Sequence, residues 1–522
     1  MSASTERKRR QAAREAGTDK KMLAQQEEAQ KKAKSKIRWT WGTIGVVLLI
    51  AAILFLNSGI LYSTTTALTI GDTKYSPAEM NYYYGTAYYN MANQYGSYAS
   101  LLGLDTSAGI AGLKHQSCPM LEDGGSWKDY FLDTAKEDMV QIKALTDYAA
   151  QNGLALTQEE IDQVDSGFEG VDDYAKTMGY ANANAFFAAN YGNGVNQTIV
   201  RQAMLDNLLA NNAYVHASDS FQYDAAALEA AYQGLNGAQD VFQLALYHVV
   251  AETVETPSET EGEDPTTAPT EQTLAEAKAT ADAIAAGYRD GDEQDFTARL
   301  NAAIDHEIAG EEATVRTNAT GSSLAEPYKE WMLDASRKAG DLIVTDDGNN
   351  TGSYVVLFLS RSDNHYPMAQ VRHILIKAEA SEDGSYSDEA KAAAKARAEE
   401  ILAQWQAGDK TEESFAALAE EFSEDTGSNT NGGLYDSVAM GQMVPEFDAF
   451  CFGGHKSGDT AIVYGESGSY AGYHVMYYVG EGDLYSNYIA RSVLLNDDLS
   501  AWLDELLAGY EAVPGFGYRM VG

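Results

Sequence analysis

The sequence predicts an α+β protein with a single N-terminal transmembrane helix, an α-helical domain and two related α+β modules. Three observations support this prediction: an uncharged apolar segment near the N-terminus, helical periodicity after it, and a repeated pattern of strands and helices in the C-terminal half. At 522 residues the chain is too long for one hydrophobic core, so several domains are expected.

The chain is strongly acidic, and its charge is unevenly distributed. It has 36 Lys and Arg against 77 Asp and Glu, a net charge of −41. Residues 1–38 contain 12 basic and 5 acidic residues, whereas residues 39–522 contain 24 basic and 72 acidic residues, a net charge of −48. Because so acidic a body repels a phosphate backbone, nucleic-acid binding is excluded as a function.

An apolar segment follows the basic tail of residues 1–38. Residues 39–62 contain no charge and no proline, and at 1.5 Å per residue they can cross a bilayer core of roughly 30 Å. Basic residues precede the segment and none follows until Lys74, so the positive-inside rule places the N-terminus in the cytoplasm and the bulk outside. We therefore expect a single-pass anchor in the cell membrane. The alternative, a cleaved signal peptide, is disfavoured because the basic region is long and no A-x-A site follows.

Residues 63–240 are predicted to form an α-helical domain. An apolar stripe at i, i+3, i+4 spacing runs from Met80 to Met91. The tyrosines between Tyr75 and Tyr98 allow two interpretations, a packed core or an adaptable surface for varied partners, and core packing is the favoured one. Beyond the modules, residues 484–522 form a C-terminal segment with a helical candidate at 487–510.

The two modules are predicted from an internal repeat. LYHVV at 246–250 matches VRHIL at 371–375, and GSYVVLFLS at 352–360 matches GYHVMYYVG at 472–480. The order and nearly constant offset of the matches indicate duplicated units over 241–366 and 367–483. An acidic Pro/Thr/Glu-rich insert, residues 251–273, interrupts the first copy and is predicted to be disordered.

The second copy resembles a parvulin-type peptidyl-prolyl isomerase domain. The resemblance covers residues 370–480 and lies in the segments VRHILI, FAALAEEFSEDTGSNTNGG, GQMVPEF and GYHVMYYV. The whole order is similar to that of PrsA-like and SurA-like membrane-anchored extracytoplasmic foldases. In these a helical chaperone domain precedes one or two parvulin modules, and a C-terminal segment packs back on the helices. The resemblance implies the same arrangement here.

The resemblance also implies a set of site residues. The catalytic group would be His373, Asp425, His474 and Ser469, and the walls of the prolyl pocket would be Leu434, Met443 and Phe447. The sequence has GGLY where the family has GGDLG, so Leu434 departs from the pattern. Two histidines in strands are ordinarily satisfied core residues, but the accompanying Asp425, GQM and Phe447 favour a site.

The first copy is a degenerate version of the second. It retains His248 but has Tyr354 at the position aligned with His474, and it lacks the GG and GQM segments. We therefore expect it to act as a scaffold or as a contact for client proteins.

Taken with the resemblance, the sequence predicts an extracytoplasmic peptidyl-prolyl cis-trans isomerase and chaperone. Its partners would be unfolded or partly folded secreted proteins that contain X–Pro bonds. No cofactor and no metal is expected, because rotation about a peptide bond makes and breaks no covalent bond. Two alternatives remain, a holdase chaperone without isomerase activity and a surface structural or adhesion protein.

Overall fold

The structure, a computed structural model, divides into two compact units. It describes residues 7–8, 46–47, 59–122, 124–256, 266–288, 314–381, 384–468 and 470–522. One unit comprises Met1–Phe221 with Leu499–Gly522, and the other comprises Gln222–Asp498. Among the described residues, no helix is both long and apolar enough to span a bilayer. Most of the predicted anchor at 39–62 lies outside them.

The predicted α+β class with a helical N-terminal region is confirmed. The helices are α1 Ile60–Thr64, α2 Pro77–Tyr95, α3 Gly109–Gly112, α4 Trp127–Gln151, α5 Gln158–Ser166, α6 Val171–Thr177, α7 Ala183–Tyr191, α8 Gln197–Ser220, α9 Ala225–Gly234, α10 Glu271–Gly287, α11 Glu326–Leu333, α12 Asp388–Ala407, α13 Glu412–Phe422, α14 Pro445–Cys451 and α15 Tyr485–Leu507. The strands are β1 Leu68–Ile70, β2 Thr73–Tyr75, β3 Val241–Val250, β4 Thr253–Thr256, β5 Thr266–Pro269, β6 Thr314–Thr320, β7 Leu342–Asp346, β8 Gly352–Ser362, β9 Pro367–Lys377, β10 Leu434–Val438, β11 Thr460–Ser467, β12 Tyr470–Leu484 and β13 Ala512–Pro514.

The tyrosine-rich stripe of α2 forms part of the core of the first unit. Ser76 begins the helix with a capping box, in which its side chain accepts a hydrogen bond from the Glu79 amide and the Glu79 carboxylate accepts one from the Ser76 amide. Tyr83, Tyr84 and Tyr88 are buried against neighbouring helices. These three tyrosines therefore stabilise the unit by packing.

The C-terminal residues of the chain also lie in the first unit. β13 pairs with β1 in an antiparallel register, with Val513 opposite Thr69. Val521 belongs to the core that contains the α2 tyrosines, and Trp502 packs in a cluster with Leu145. The three-stranded sheet β13-β1-β2 thus joins sequence-distant parts of one unit.

The two modules of the second unit have the same topology. The sheet of the first module has the order β6-β3-β8-β7, and that of the second has the order β10-β9-β12-β11. All neighbouring strands are antiparallel. In chain order both sheets read 2-1-4-3, with helices in the connections. The repeat found in the sequence is therefore also a repeat of architecture.

The insert predicted to be disordered over 251–273 is structured at both ends. β4 and β5 form an antiparallel hairpin, with Val254 opposite Ala268. Thr270 then caps α10 by accepting a hydrogen bond from the Thr273 amide. The prediction was wrong for these residues because Thr- and Val-containing segments can pair as strands despite their acidic surroundings. Residues 257–265 lie outside the described part of the chain.

The helical domain ends earlier than the predicted boundary at residue 240. α9 belongs to the second unit, where Leu228 packs with Ala490. The Tyr232 hydroxyl donates a hydrogen bond to Asp240 at 2.9 Å and accepts one from Asn364 at 3.0 Å. These contacts join α9 to the first module, and helical periodicity alone does not reveal them.

Candidate active site

The site lies on one face of the second module's sheet. Side chains alternate along β9, so Ile374 and Ile376 face the helices α12 and α13, whereas Val371 and His373 face the other side. His474 lies on that same side of β12, together with Met476. Helix α14 covers this face and contributes Phe447.

The two histidines are in direct contact. The Nδ1 atoms of His373 and His474 are 3.0 Å apart, and the two rings stack with their centroids 5.1 Å apart. The residues are not cross-strand partners, since His373 lies opposite Met476 and His474 lies opposite Leu375. The contact is therefore a diagonal one, between positions two residues apart in register.

Asp425 is hydrogen-bonded to His373 through Nε2, the ring nitrogen that faces away from His474. Its Oδ2 atom lies 2.9 Å from His373 Nε2 and accepts hydrogen bonds from the hydroxyls of Ser428, at 2.5 Å, and Tyr435, at 3.1 Å. The Gly427 amide donates to the other carboxylate oxygen at 3.1 Å. A carboxylate with this many donors is well satisfied although it is partly withdrawn from water.

A tight turn brings Asp425 to the sheet. The His373 amide donates to the Gly433 carbonyl at 2.9 Å, and the Gly433 amide donates to the Ser428 carbonyl at 2.8 Å. Gly433 has φ +71°, and a Cβ atom there would lie 2.2 Å from the His373 carbonyl oxygen. Only glycine permits this approach, which explains the glycine pair in the sequence.

The outer hydrogen bonds determine which of the two histidines donates the hydrogen bond between them. Asp425 is an acceptor, so His373 donates through Nε2 and its Nδ1 accepts from His474 Nδ1–H when His373 is neutral. His474 Nε2 then accepts from the Tyr470 hydroxyl at 3.0 Å. The result is a continuous chain of donors running from Tyr470 through both rings to Asp425.

The pKa values of the site follow from these contacts. The hydrogen bond from His373 holds the pKa of Asp425 well below its ordinary value, with further help from Ser428. Burial lowers the pKa of His474 to about 3, and the neighbouring His373 adds to this shift. Burial, reinforced by the charge of Asp425, raises the pKa of Tyr435 to about 12. At neutral pH the site therefore contains a carboxylate, a neutral His474 and a phenol.

Phe447 packs against both histidines on this face of the sheet. Its ring meets His373 edge-on at 5.4 Å and His474 edge-on at 5.3 Å. Phe447 is buried, and Met443 packs against the same cluster from the loop before α14. Pro445 at the start of α14 has no amide hydrogen, so it suits the first turn of this short helix.

The structure places Tyr435, and not the predicted pocket wall Leu434, on the face of the sheet that carries the histidines. Leu434 lies opposite Arg372, which points away from the site toward Glu412 on α13. Tyr435 is on the site face, with its ring 5.2 Å from His373 and 6.3 Å from Phe447. Because side chains alternate along a strand, these neighbouring residues lie on opposite faces of β10.

Two other groups of the site are not among the predicted residues. They are Ser428, whose hydroxyl donates a hydrogen bond to Asp425, and Tyr470, whose hydroxyl is bonded to His474. Ser469, predicted to supply a hydroxyl, lies outside the described residues. Family spacing gives no signal for Ser428, which lies in the turn after α13. Tyr470 lies on β12 four residues before His474, so the alternation of side chains along a strand places both on one face.

The corresponding face of the first module carries a different arrangement. His248 lies directly opposite Tyr354, and its Nε2 atom is 3.0 Å from Asp347 Oδ2. In the second module the residue opposite His474 is Leu375. If His248 is aligned with His373, then Tyr354 corresponds to Met476, the residue opposite His373, and not to His474. The two sequence matches therefore differ by two residues in strand register.

This geometry is suited to binding an apolar ring next to a polar group. Phe447, Met443 and Tyr435 provide the apolar contacts, and the histidine pair with Asp425 provides oriented donors and acceptors. Within the described part of the chain, no three or more His, Cys, Asp or Glu side chains are grouped to hold a metal ion.

Comparisons with known proteins agree with this description. Residues 355–477 match the family model of the PPIC-type PPIase domain. PrsA of Bacillus anthracis, a peptidylprolyl isomerase, is 24% identical over 28% of this chain and 59% of its own, with a TM-score of 0.18. PrsA of Bacillus subtilis is 14% identical over 74% of this chain and 88% of its own, with a TM-score of 0.27. A comparison with curated proteins gave no significant match.

The family match decides the assignment, because TM-scores this low do not establish a common overall arrangement. It begins within β8 and ends within β12, and so includes both histidines, Asp425 and Phe447. Residues 355–477 therefore match a peptidyl-prolyl isomerase domain of the PPIC type.

Proposed function

We propose that this protein is an extracytoplasmic foldase that isomerises X–Pro bonds in unfolded secreted proteins and shields them from aggregation. The observation that carries the proposal is the contact of Phe447 with both rings of the His373–His474 pair. A proline ring seated on Phe447 would place its peptide bond beside the two imidazoles.

The chemistry follows from the nature of the barrier. Rotation about a peptide bond costs about 18–20 kcal/mol because resonance is lost in the twisted state. An enzyme accelerates it by binding the twisted amide more tightly than either planar form. Phe447, Met443 and Tyr435 hold the ring, while the ordered imidazoles meet the carbonyl and nitrogen, whose polarity changes on twisting. Proton transfer is not required.

The helical unit supports the chaperone part of the proposal. Helices α2, α4, α5 and α8 line a groove of about 1040 Å³, and its surface mixes apolar residues such as Tyr82, Met204 and Leu208 with carboxamides such as Gln141 and Asn211. Apolar groups suit the side chains of an unfolded segment, and carboxamides suit its backbone because each offers a donor and an acceptor.

The proposed location is the outer face of the cell membrane, with residues 39–62 as the anchor. The support is the charge pattern, which has a basic tail before an uncharged apolar segment and a net charge of −48 on residues 39–522. Protease added to protoplasts should degrade the chain after about residue 62 and spare a tag at residue 1. A protected C-terminus would contradict this topology.

The isomerase function is tested by proline-limited refolding of a model protein with the full chain and three variants. His474→Ala, Asp425→Ala and Phe447→Ala should each lower the catalysed rate at least about tenfold, or about 1.4 kcal/mol of transition-state stabilisation. His115→Ala, an exposed histidine of the first unit, is the control. Wild-type rates in all three variants, with aggregation still suppressed, would instead show a holdase.

A further inference from the structure

A cluster of aromatic residues lies beside the loop that carries Met443. We call Tyr366, Met440, Phe452, Tyr485 and Tyr488 the aromatic patch. Tyr366 packs edge-on against Phe452 with ring centroids 5.8 Å apart. Its ring is also 5.6 Å from that of Tyr485, at an interplanar angle of 37°. Tyr485 stacks on Tyr488 at 6.1 Å with an interplanar angle of 16°. The rings therefore form a continuous row.

The outer part of the patch is open to solvent. Met440 is 51% exposed and Tyr488 is 53% exposed, although both are large apolar side chains. The surrounding protein is strongly acidic, so a contiguous aromatic surface is unusual here. Tyrosine and methionine surfaces adapt to side chains of different shape.

A hydrogen bond fixes the patch to the prolyl-pocket loop. The Met440 amide donates to the Tyr366 hydroxyl at 3.1 Å. The Tyr366 carbonyl in turn accepts from the Tyr485 amide at 2.9 Å, at the start of α15. Met440 precedes Met443 by three residues, so their Cα atoms are at most about 11 Å apart. The patch therefore lies within a few residues' reach of Met443.

We propose that the aromatic patch is a second subsite for the client chain, which binds an aromatic or large apolar side chain two to four residues from the proline. This inference rests on the proposed isomerase function. An extended peptide advances about 3.3–3.6 Å per residue, so a side chain at that separation from a pocket-bound proline spans the distance to the patch. The occupant is thus part of the same client, whose proline the pocket already holds.

The test compares peptides that differ in one residue. Each contains Ala-Pro and has either phenylalanine or alanine three positions from the proline, on one side or the other. Cis–trans exchange rates are measured by NMR with the full chain. For one placement of phenylalanine, the wild-type protein should show kcat/KM about fivefold higher than for the alanine peptide, as expected for one aromatic contact of about 1 kcal/mol.

Variants of the patch should remove the preference. Tyr488→Ala and Met440→Ala should each bring the phenylalanine-to-alanine ratio close to one. The matched control is Tyr174→Ala, because Tyr174 is 54% exposed but lies in the other unit. It should keep the wild-type ratio.

The outcomes separate the two proposals. If the wild-type protein isomerises all peptides at equal rates, or if the patch variants keep the preference, the subsite is wrong while the isomerase function stands. If no peptide is isomerised faster than in buffer, the isomerase function itself is wrong. A ratio lost in Tyr174→Ala as well would also contradict the subsite, because the effect would not be local.

Discussion

The Nδ1 atoms of His373 and His474 lie 3.0 Å apart, so one imidazole donates an N–H hydrogen bond to the other. Which one donates depends on the outer nitrogens. Asp425 at His373 Nε2 is an acceptor, and the Tyr470 hydroxyl at His474 Nε2 is able to donate. The carboxylate therefore sets the tautomers of both rings, including that of His474, which it does not touch.

Replacing this carboxylate by its amide should impair catalysis without disturbing the pocket. In Asp425→Asn the charge is lost, and the amide group offers His373 either a donor or an acceptor, so the tautomer is no longer fixed. We expect kcat/KM to fall at least about tenfold, or about 1.4 kcal/mol. The control is Asp436→Asn, an exposed carboxylate on β10. An unchanged rate in Asp425→Asn would show that the tautomers are irrelevant to catalysis.

His474 should remain neutral at mildly acidic pH. Burial lowers its folded-state pKa from 6.5 to about 3. Between these values the unfolded state binds a proton that the folded state does not, so the stability present above pH 6.5 falls progressively as the pH drops toward 3. Histidine ring signals in NMR should show no titration of His474 at pH 5, and His474→Gln should make stability less dependent on pH. Titration near 6.5 would contradict the buried pair.

Tyr435 should matter more to activity than Leu434. Tyr435 lies against His373 and Phe447 and donates to Asp425, whereas Leu434 lies on the opposite face of β10. Tyr435→Ala should lower kcat/KM at least about tenfold, and Leu434→Ala at most about twofold, because only the first loses contact with the site. Both variants are measured with the same peptide substrate. A larger loss of kcat/KM in Leu434→Ala than in Tyr435→Ala would support Leu434 as the pocket wall.

The sequence is informative where the family pattern has fixed spacing, and it is uninformative for Ser428, which reaches the site through a turn. His373, Asp425, His474 and Phe447 were all selected from the family pattern, and the structure brings them together. The predicted pocket wall Leu434 is one position away from Tyr435, and a shift of one position moves a strand residue to the other face of the sheet. The β4–β5 hairpin was missed because an acidic Pro/Thr composition outweighed the short strand-forming segments.

The insert of the first module should tolerate a short deletion but not a long one. Removing residues 259–263 leaves both strands of the β4–β5 hairpin and four residues to connect Thr256 with its partner Thr266, and closing a shorter loop changes the free energy of unfolding by only a fraction of a kcal/mol. Removing 251–273 also deletes the hairpin and the Thr270 cap of α10, and loss of a cap alone costs about 1 kcal/mol. Denaturant unfolding of the two deletion variants should show this difference. Equal stabilities would mean that the hairpin contributes nothing.

The first module should have no isomerase activity of its own. It lacks the GG and GQM segments, and His248 is bonded to Asp347 and lies directly opposite Tyr354. The active pair of the second module is diagonal, so a histidine at position 354 would not reproduce it. A full-length chain carrying His474→Ala and Asp425→Ala should therefore show only background isomerisation, and adding Tyr354→His should not restore it.

The fragment 241–366 should likewise be inactive as an isomerase. If the first module contacts clients, a chain that lacks residues 241–366 should suppress aggregation less than the full chain. Activity in the fragment would show that its site uses residues other than those aligned here.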